Sequence, residues 1–246
     1  MAERRLNILH LYPENMNLYG DRGNVLALAQ RARWRGIPAR IVNREVGQAV
    51  DWNDVDLVFM GGGEDTHQAR IADDFLELGT ELAARLRSGL PMLAICGAYQ
   101  LLGRYYETAD RIQLPGLNYL DVWTEAGETR AIGDVVTYTD LSIEPRSLVG
   151  FENHGGRTFL GSEARPLGQV ALGQGNNGQD RSEGAVQDRV VATYLHGSLL
   201  PKNPHLADLL VTWALQNRGI DEPLEPLPAD EEFSAHETIL NRARNS

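Results

Sequence analysis

Short apolar runs alternate with amphipathic stretches through the first hundred residues. Leu6-Asn7-Ile8-Leu9-His10-Leu11, Ala39-Arg40-Ile41-Val42, Asp56-Leu57-Val58-Phe59-Met60 and Leu90 to Ile95 read as strands. Between them, Val25 to Arg35 has the Ala, Leu, Gln and Arg content of a helix, and Gly36 and Pro38 stop it. Ile71 to Arg87 has amphipathic helical spacing, and Ala98 to Tyr105 reads as a further helix. Apolar strands separated by helices predict a mostly parallel sheet covered on both faces, an α/β three-layer arrangement. Further along, the pattern becomes one of turn-separated strands: Tyr119 to Trp123, Arg130 to Thr139, Val149 to Glu152, Gly168 to Leu172, Gly184 to Val186 and Val190 to Leu195. Gly173 to Gly178 reads as an exposed, turn-rich loop. Pro204 to Arg218 predicts a helix with proline in its first turn. The expected organisation is one domain over 1–220, then a Pro- and acid-rich linker and a last helix over 221–246. That helix, Asp230 to Arg244, sets Phe233, His236, Ile239, Leu240 and Ala243 on one face, the stripe expected of a cover for its own domain.

Composition narrows the function. With 246 residues, 42% hydrophobic and 23% charged, the chain can bury a core without disulfide staples. A net charge of −11 argues against nucleic acid or an anionic membrane as partner, because phosphate binding needs a basic surface. A single cysteine excludes an internal disulfide framework and fits a reducing, cytoplasmic compartment. Neither a signal peptide nor a run of about 18 apolar residues is legible. Lys202 is the one lysine among 23 basic residues, with no glycine-rich loop before it, so a Walker-type phosphate loop is absent. Any ATP-driven step is therefore expected on another chain. Dinucleotide and metal sites are not expected either: no G-x-G-x-x-G spacing follows a strand, and no H-E-x-x-H or second cysteine exists.

Three segments carry candidate chemistry. Leu93-Ala94-Ile95-Cys96-Gly97-Ala98-Tyr99-Gln100 runs an apolar strand into a cysteine, two small residues and a helix. Small neighbours permit a tight strand-to-helix turn that presents the thiol, and the helix N-terminus favours thiolate. A nucleophile needs a base. His196 ends the run Val190 to Leu195, at the edge where open α/β sheets bind ligands. His154, in Phe151-Glu152-Asn153-His154-Gly155-Gly156, is the rival, and for either the plain alternative is a loop histidine that hydrogen-bonds backbone. Met60-Gly61-Gly62-Gly63-Glu64-Asp65 follows another strand, and its glycines let backbone N–H groups approach a developing oxyanion.

Together, Cys96-Gly97-x-Tyr99-Gln100, Gly61-Gly62-Gly63-x-Asp65-x-x-Gln68 and Tyr194-Leu195-His196-Gly197 resemble the class I glutamine amidotransferases, in their cobyric-acid-synthase-like branch. Met16-Asn17-Leu18-Tyr19-Gly20-Asp21-x-Gly23-Asn24, Thr124-Glu125, Arg130-x-Ile132-Gly133-Asp134 and Gly150-Phe151-Glu152-Asn153-His154-x-Gly156-x-Thr158 further resemble the GatD-type glutaminase subunits of lipid II isoglutaminyl synthases. The resemblance runs from about Leu6 to Arg218. It implies a flavodoxin-like domain that hydrolyses L-glutamine and passes ammonia to a Mur-ligase-like (MurT-type) partner, which uses ATP to amidate the D-glutamate of the peptidoglycan stem peptide. No cofactor is then expected in this chain, with ATP and Mg on the partner. Cys96 would be the nucleophile, His196 the base, and Asp21, ahead of Glu152, the acid orienting it. Arg130 would hold the substrate carboxylate, with Gly62, Gly63, Gly97 and Gln100 around the substrate. Three positions depart from the pattern: Ala98 for a glycine, Ser198 where many relatives carry an acid, and His67 where an acid is expected. A cobyric-acid-type acceptor is the alternative, disfavoured by the absence of a fused ATP-binding domain. A non-catalytic scaffold and a peptidase of the same fold are the others.

Overall fold

The first strand, β1 (Leu6–Leu11), is buried at every position, which an edge or one-sided strand cannot be. It lies inside a six-stranded sheet of order β11-β12-β4-β3-β1-β2. Its members are β2 (Ala39–Arg44), β3 (Leu57–Met60), β4 (Met92–Ile95), β11 (Ala185–Gln187) and β12 (Val190–Thr193). All pairings are parallel except that of the edge strand β11 with β12. The computed structural model describes residues 4–228 and 230–244. Helices α1 (Arg22–Trp34), α2 (Asp65–Arg87), α3 (Gly97–Leu102), α4 (Leu199–Lys202) and α5 (Pro204–Asn217) complete a flavodoxin-like α/β arrangement. Among the described residues no helix is long and apolar enough to cross a membrane.

A second sheet grows from the middle of the chain. It contains β5 (Tyr105–Glu107), β6 (Gln113–Pro115), β7 (Val122–Thr139), β8 (Ser147–Leu160), β9 (Gly168–Leu172) and β10 (Ser182–Glu183). Two expectations change here. The separate strands read before and after residue 125 are one long strand, β7, whose register against β8 shifts between Ala126 and Ala131. Val149 to Glu152 is the start of the 14-residue β8, so Asn153 and His154 belong to a strand and not to a loop. Their polar and glycine-rich sequence hides this, because cross-strand partners on β7 supply what local propensity does not.

Two other boundaries differ. Helix α2 begins at Asp65, two turns before the first apolar position of its core stripe; those turns are polar because they face a cleft. Tyr105 leaves the helix read from Ala98 and starts β5, since α3 ends at Leu102. The Gly173 to Gly178 loop is not exposed throughout: Asn176 and Asn177 are buried. Asn176 donates to Ser182 Oγ and Gly184 O and accepts from Gly184 N–H, which satisfies its amide inside the protein.

The last helix, α6 (Asp230–Arg244), meets β7 and β8. Leu240 and Ile239 cover Val136 and Val149. His236 is fully buried, its Nδ1–H donating to Lys202 O and its Nε2 accepting from Ser147 Oγ. His205 stacks on Phe233 and donates to Ser147 O. The buried Arg31 of α1 binds Asp208 of α5 and Glu232 of α6. Burial lowers the pKa of His205 from 6.5 to about 4, and that of His236 in the same direction. Unfolding therefore takes up protons, so stability that is full above 6.5 is lost as pH falls through about 4. Replacing both residues (His205→Gln with His236→Gln) is expected to flatten the drop in urea midpoint between about pH 7 and about pH 5. A drop as steep as wild type would contradict this role.

Candidate functional site

Strand β4 delivers Cys96 to the C-terminal edge of the parallel sheet. There the backbone turns sharply: Cys96 has φ 52° and ψ −103°, a left-handed φ strained for any side chain. The turn holds because Cys96 N–H donates to Thr193 O and Cys96 O accepts from Gln100 N–H. Gly97 and Ala98 follow as the first residues of α3, so its first N–H groups, which have no intrahelical acceptor, lie beside the thiol. Ala98 is fully buried without disrupting the elbow.

His196 comes from the neighbouring strand. It lies just past β12, and its backbone exchanges two hydrogen bonds with Phe151 of β8 (2.7 and 3.3 Å). The buried Glu183 carboxyl accepts from Thr193 Oγ and Tyr194 N–H and so fixes the end of β12. Burial pushes that carboxyl up to about 7. His196 Nδ1 lies 3.4 Å from Asp21 Oδ1, and Asp21 Oδ2 accepts the Gly62 N–H at 2.7 Å. His196 and Asp21 are both fully buried. Burial alone would lower the His196 pKa, but the Cys96 thiolate and the Asp21 carboxylate outweigh it and raise it from 6.5 to about 10. The raised His196 pKa thus contributes stability that is present below 6.5 and lost as pH rises through about 10.

Of the two acids left open by the sequence, Asp21 is the one beside His196. Glu152 accepts from Gln174 and Gly175 N–H and lies 3.7 Å from His154 Nε2. His154 donates from Nδ1 to Gly156 O and stacks flat on Tyr194 at 3.7 Å, in the wall of the same cleft. Ser198 instead ties the loop over the site, donating to Gly20 O. That loop sets Tyr19 edge-on to His196, with ring centroids 5.1 Å apart.

The glycine turn after β3 closes the arrangement. A Cβ on Gly62 would lie 2.9 Å from His196 Cε1, 3.2 Å from Cys96 Cβ and 3.4 Å from Asp21 Oδ2. Gly62 uses both backbone groups, its N–H on Asp21 and its O on Leu18 N–H. Gly63 lines the open cleft, and a Cβ there would collide with Met16. Gln68 holds the turn to the cleft floor, donating to Gly63 O and Gln100 Oε1. Gln100 in turn donates to Tyr194 OH, which meets Thr158 Oγ1 at 2.6 Å. Gln68 was legible only as part of a motif, and its role depends on the two early turns of α2 that periodicity missed.

The cleft has a volume of about 400 Å³. Cys96, Gly63, Gln68 and Gln100 line its base, and Arg130 and Asn153 line its side. Asn153 accepts from Arg130 Nε and Nη2, which aims the guanidinium without using its Nη1 donors. Among the described residues no cluster of metal-binding side chains occurs.

The elbow, the histidine edge and the sheet order place the chain among the flavodoxin-like glutamine amidotransferases. More narrowly, it belongs to the CobB/CobQ-like glutamine amidotransferase family, whose sequence profile matches residues 7–204. It is 39% identical over 240 residues to the lipid II isoglutaminyl synthase (glutamine-hydrolyzing) subunit GatD of Staphylococcus aureus, covering 97% of this chain and 96% of that one. It is also 39% identical to the subunit of the same name from Streptococcus pneumoniae, over 97% of this chain and 88% of that one. A glutamine amidotransferase crystal structure from Thermotoga maritima has a TM-score of 0.55 over 98% of this chain and 99% of that one. At 14% identity that likeness is one of fold.

Because Gly62 has no side chain where three functional groups converge, Gly62→Ala is expected to cut glutamine hydrolysis by about 10²-fold or more. Its circular dichroism spectrum should stay that of wild type. Turnover close to wild type would contradict this reading of the turn.

Proposed function

We propose that this chain is the glutaminase subunit of a lipid II isoglutaminyl synthase. The observation that carries the reading is the 39% identity to the two GatD subunits over 97% of this chain, combined with a cleft lined by Cys96 and Arg130, behind which the buried His196 and Asp21 converge with Cys96 on Gly62. The match along both whole chains favours this acceptor over a corrinoid-type carboxylate. The intact set of groups disfavours a non-catalytic scaffold.

Arg130 binds the α-carboxylate of L-glutamine through the Nη1 donors that Asn153 leaves free, and the side-chain amide of the glutamine reaches Cys96. The Cys96 thiolate attacks the amide carbon, and the electron pair moves to oxygen. Gly62 N–H is committed to Asp21, so the oxyanion donors are the backbone N–H groups of Gly63 and Gly97. Gln100 supports the cleft floor through its two amide contacts. The carbon–nitrogen bond breaks as His196 gives its proton to the leaving nitrogen, releasing ammonia and leaving a γ-glutamyl thioester on Cys96. Acylation removes the thiolate charge that had held His196 protonated, while burial continues to oppose the cation. His196 then takes a proton from water, whose oxygen attacks the thioester and releases glutamate. The change of charge on Cys96 thereby makes His196 an acid in the first half and a base in the second.

The ammonia goes to an ATP-dependent Mur-ligase-like (MurT-type) subunit that amidates the D-glutamate of the stem peptide. ATP and Mg bind on that subunit and no cofactor binds here, in keeping with the missing phosphate loop. The glutamine and ATP this needs place the reaction in the cytoplasm. In a reconstituted complex, Cys96→Ala is expected to abolish amidation fed by L-glutamine but keep amidation fed by ammonium. Asp21→Asn should lower glutamate release by about 10²–10⁴-fold. Glutamine-fed amidation surviving Cys96→Ala would overturn the assignment.

A further inference from the structure

Of the segment Asn17-Leu18-Tyr19-Gly20-Asp21, the mechanism above uses only Asp21. Tyr19 is the unexplained member. Its backbone is left-handed, with φ 53° and ψ 27°, a region that bulky side chains rarely occupy. Strain of that kind persists only where the surroundings enforce it. Here both neighbours of Tyr19 are tied down: Leu18 N–H donates to Gly62 O, and Gly20 O accepts from Ser198 Oγ. The loop is thus fastened to the glycine turn on one side and to the His196 segment on the other. Between these fastenings the Tyr19 ring lines the cleft, 45% exposed, and packs on the fully buried His196. Their centroids are 5.1 Å apart and the ring planes stand at 78°. Among the described residues the Tyr19 hydroxyl makes no hydrogen bond, so the ring is what this position uses.

His196 needs such a neighbour. Its contact with Asp21 is long, at 3.4 Å, and its other attraction is to negative charge on Cys96, which acylation removes. Among the described residues Tyr19 is the one aromatic ring packed against it. Resting on the glutamine hydrolysis proposed above, we infer that Tyr19 is a positioning residue for His196, whose ring it keeps aligned on the thioester while water is activated. In that half of the reaction a water proton passes to His196 as the water oxygen bonds to the thioester carbon. The carbon–sulfur bond then breaks and returns its electron pair to Cys96, and the new carboxyl group gives its proton to solvent. Acylation depends on Tyr19 less, because charge on Cys96 itself then holds the protonated ring.

The test uses the full-length chain, alone and with the ligase subunit, as Tyr19→Gly, Tyr19→Asn and Tyr19→Phe. Glycine and asparagine both tolerate a left-handed φ, so the first two variants remove the ring without straining the loop. Using two of them keeps a folding defect in either from deciding the outcome, and Tyr19→Gly should melt no lower than wild type. In both, kcat for glutamate release is expected to fall by about 10-fold or more, while kcat/KM, which reports acylation, falls less. The γ-glutamyl thioester should therefore make up a larger fraction of the enzyme than in wild type, read as intact mass after acid quenching. Tyr19→Phe keeps the ring and should restore turnover. Wild-type kcat in both ring-free variants would overturn the inference while leaving glutamine hydrolysis intact. So would a raised KM at unchanged kcat, which would assign Tyr19 to substrate binding. A Tyr19→Phe variant as slow as Tyr19→Gly would also overturn it, by assigning the role to the hydroxyl. If wild type releases no glutamate, alone or with the ligase, the proposed function fails, and this role with it.

Discussion

A methyl group at Gly62 would lie within 3.4 Å of the His196 ring, the Cys96 Cβ and the Asp21 carboxylate at once. The site is built around the space that this residue leaves empty. Three chain segments meet there from the ends of β1, β3 and β4, and a fourth arrives from β12. Parallel order brings these ends to one edge. A thiolate and an imidazolium placed together at a buried edge stabilise each other, and that attraction outweighs the cost of removing His196 from water. Asp21 fixes the ring from behind and also orients the Gly62 turn, so a single carboxylate links two of the converging segments.

The surrounding polar network follows from the same geometry. A strained Cys96 backbone persists only if its neighbours hold it, and here they do so through Thr193, Gln100, Gln68 and Tyr194. Glu183 and the Phe151 bridge fix His196 from its own strand. The second sheet therefore contributes to chemistry as well as to cover. Through β8 it pins His196, sets Asn153 against Arg130, and stacks His154 on Tyr194 as part of the wall.

Much of this was legible in the sequence, in places where local pattern and tertiary environment agree. The apolar runs of β1, β3, β4 and β12 are buried on both faces, so composition alone marks them. The Cys96 elbow is readable because small residues must follow a strained turn. Legibility failed where the environment overrides local preference. Asn153 and His154 look like loop residues yet sit in a strand, because β7 pairs with them. The first turns of α2 are polar because they face the cleft, so apolar periodicity starts too late. Asn176 and Asn177 look solvated, but their amides find partners inside. The choice between Asp21 and Glu152 also could not be read from order along the chain: Asp21 is 175 positions from His196, and only folding makes them neighbours.

Negative charge on Cys96 raises the His196 pKa and acylation removes that charge, so His196 reports on the step directly. The measurement is an NMR titration of the His196 ring carbon before and after capping Cys96 with an electrophilic glutamine analogue, with intact mass to verify the adduct. The account predicts one adduct on Cys96, suppressed by L-glutamine. It also predicts a His196 that stays protonated toward pH 10 in the free chain and loses its proton at clearly lower pH once capped. An adduct elsewhere, or a His196 titration unchanged by capping, would contradict it.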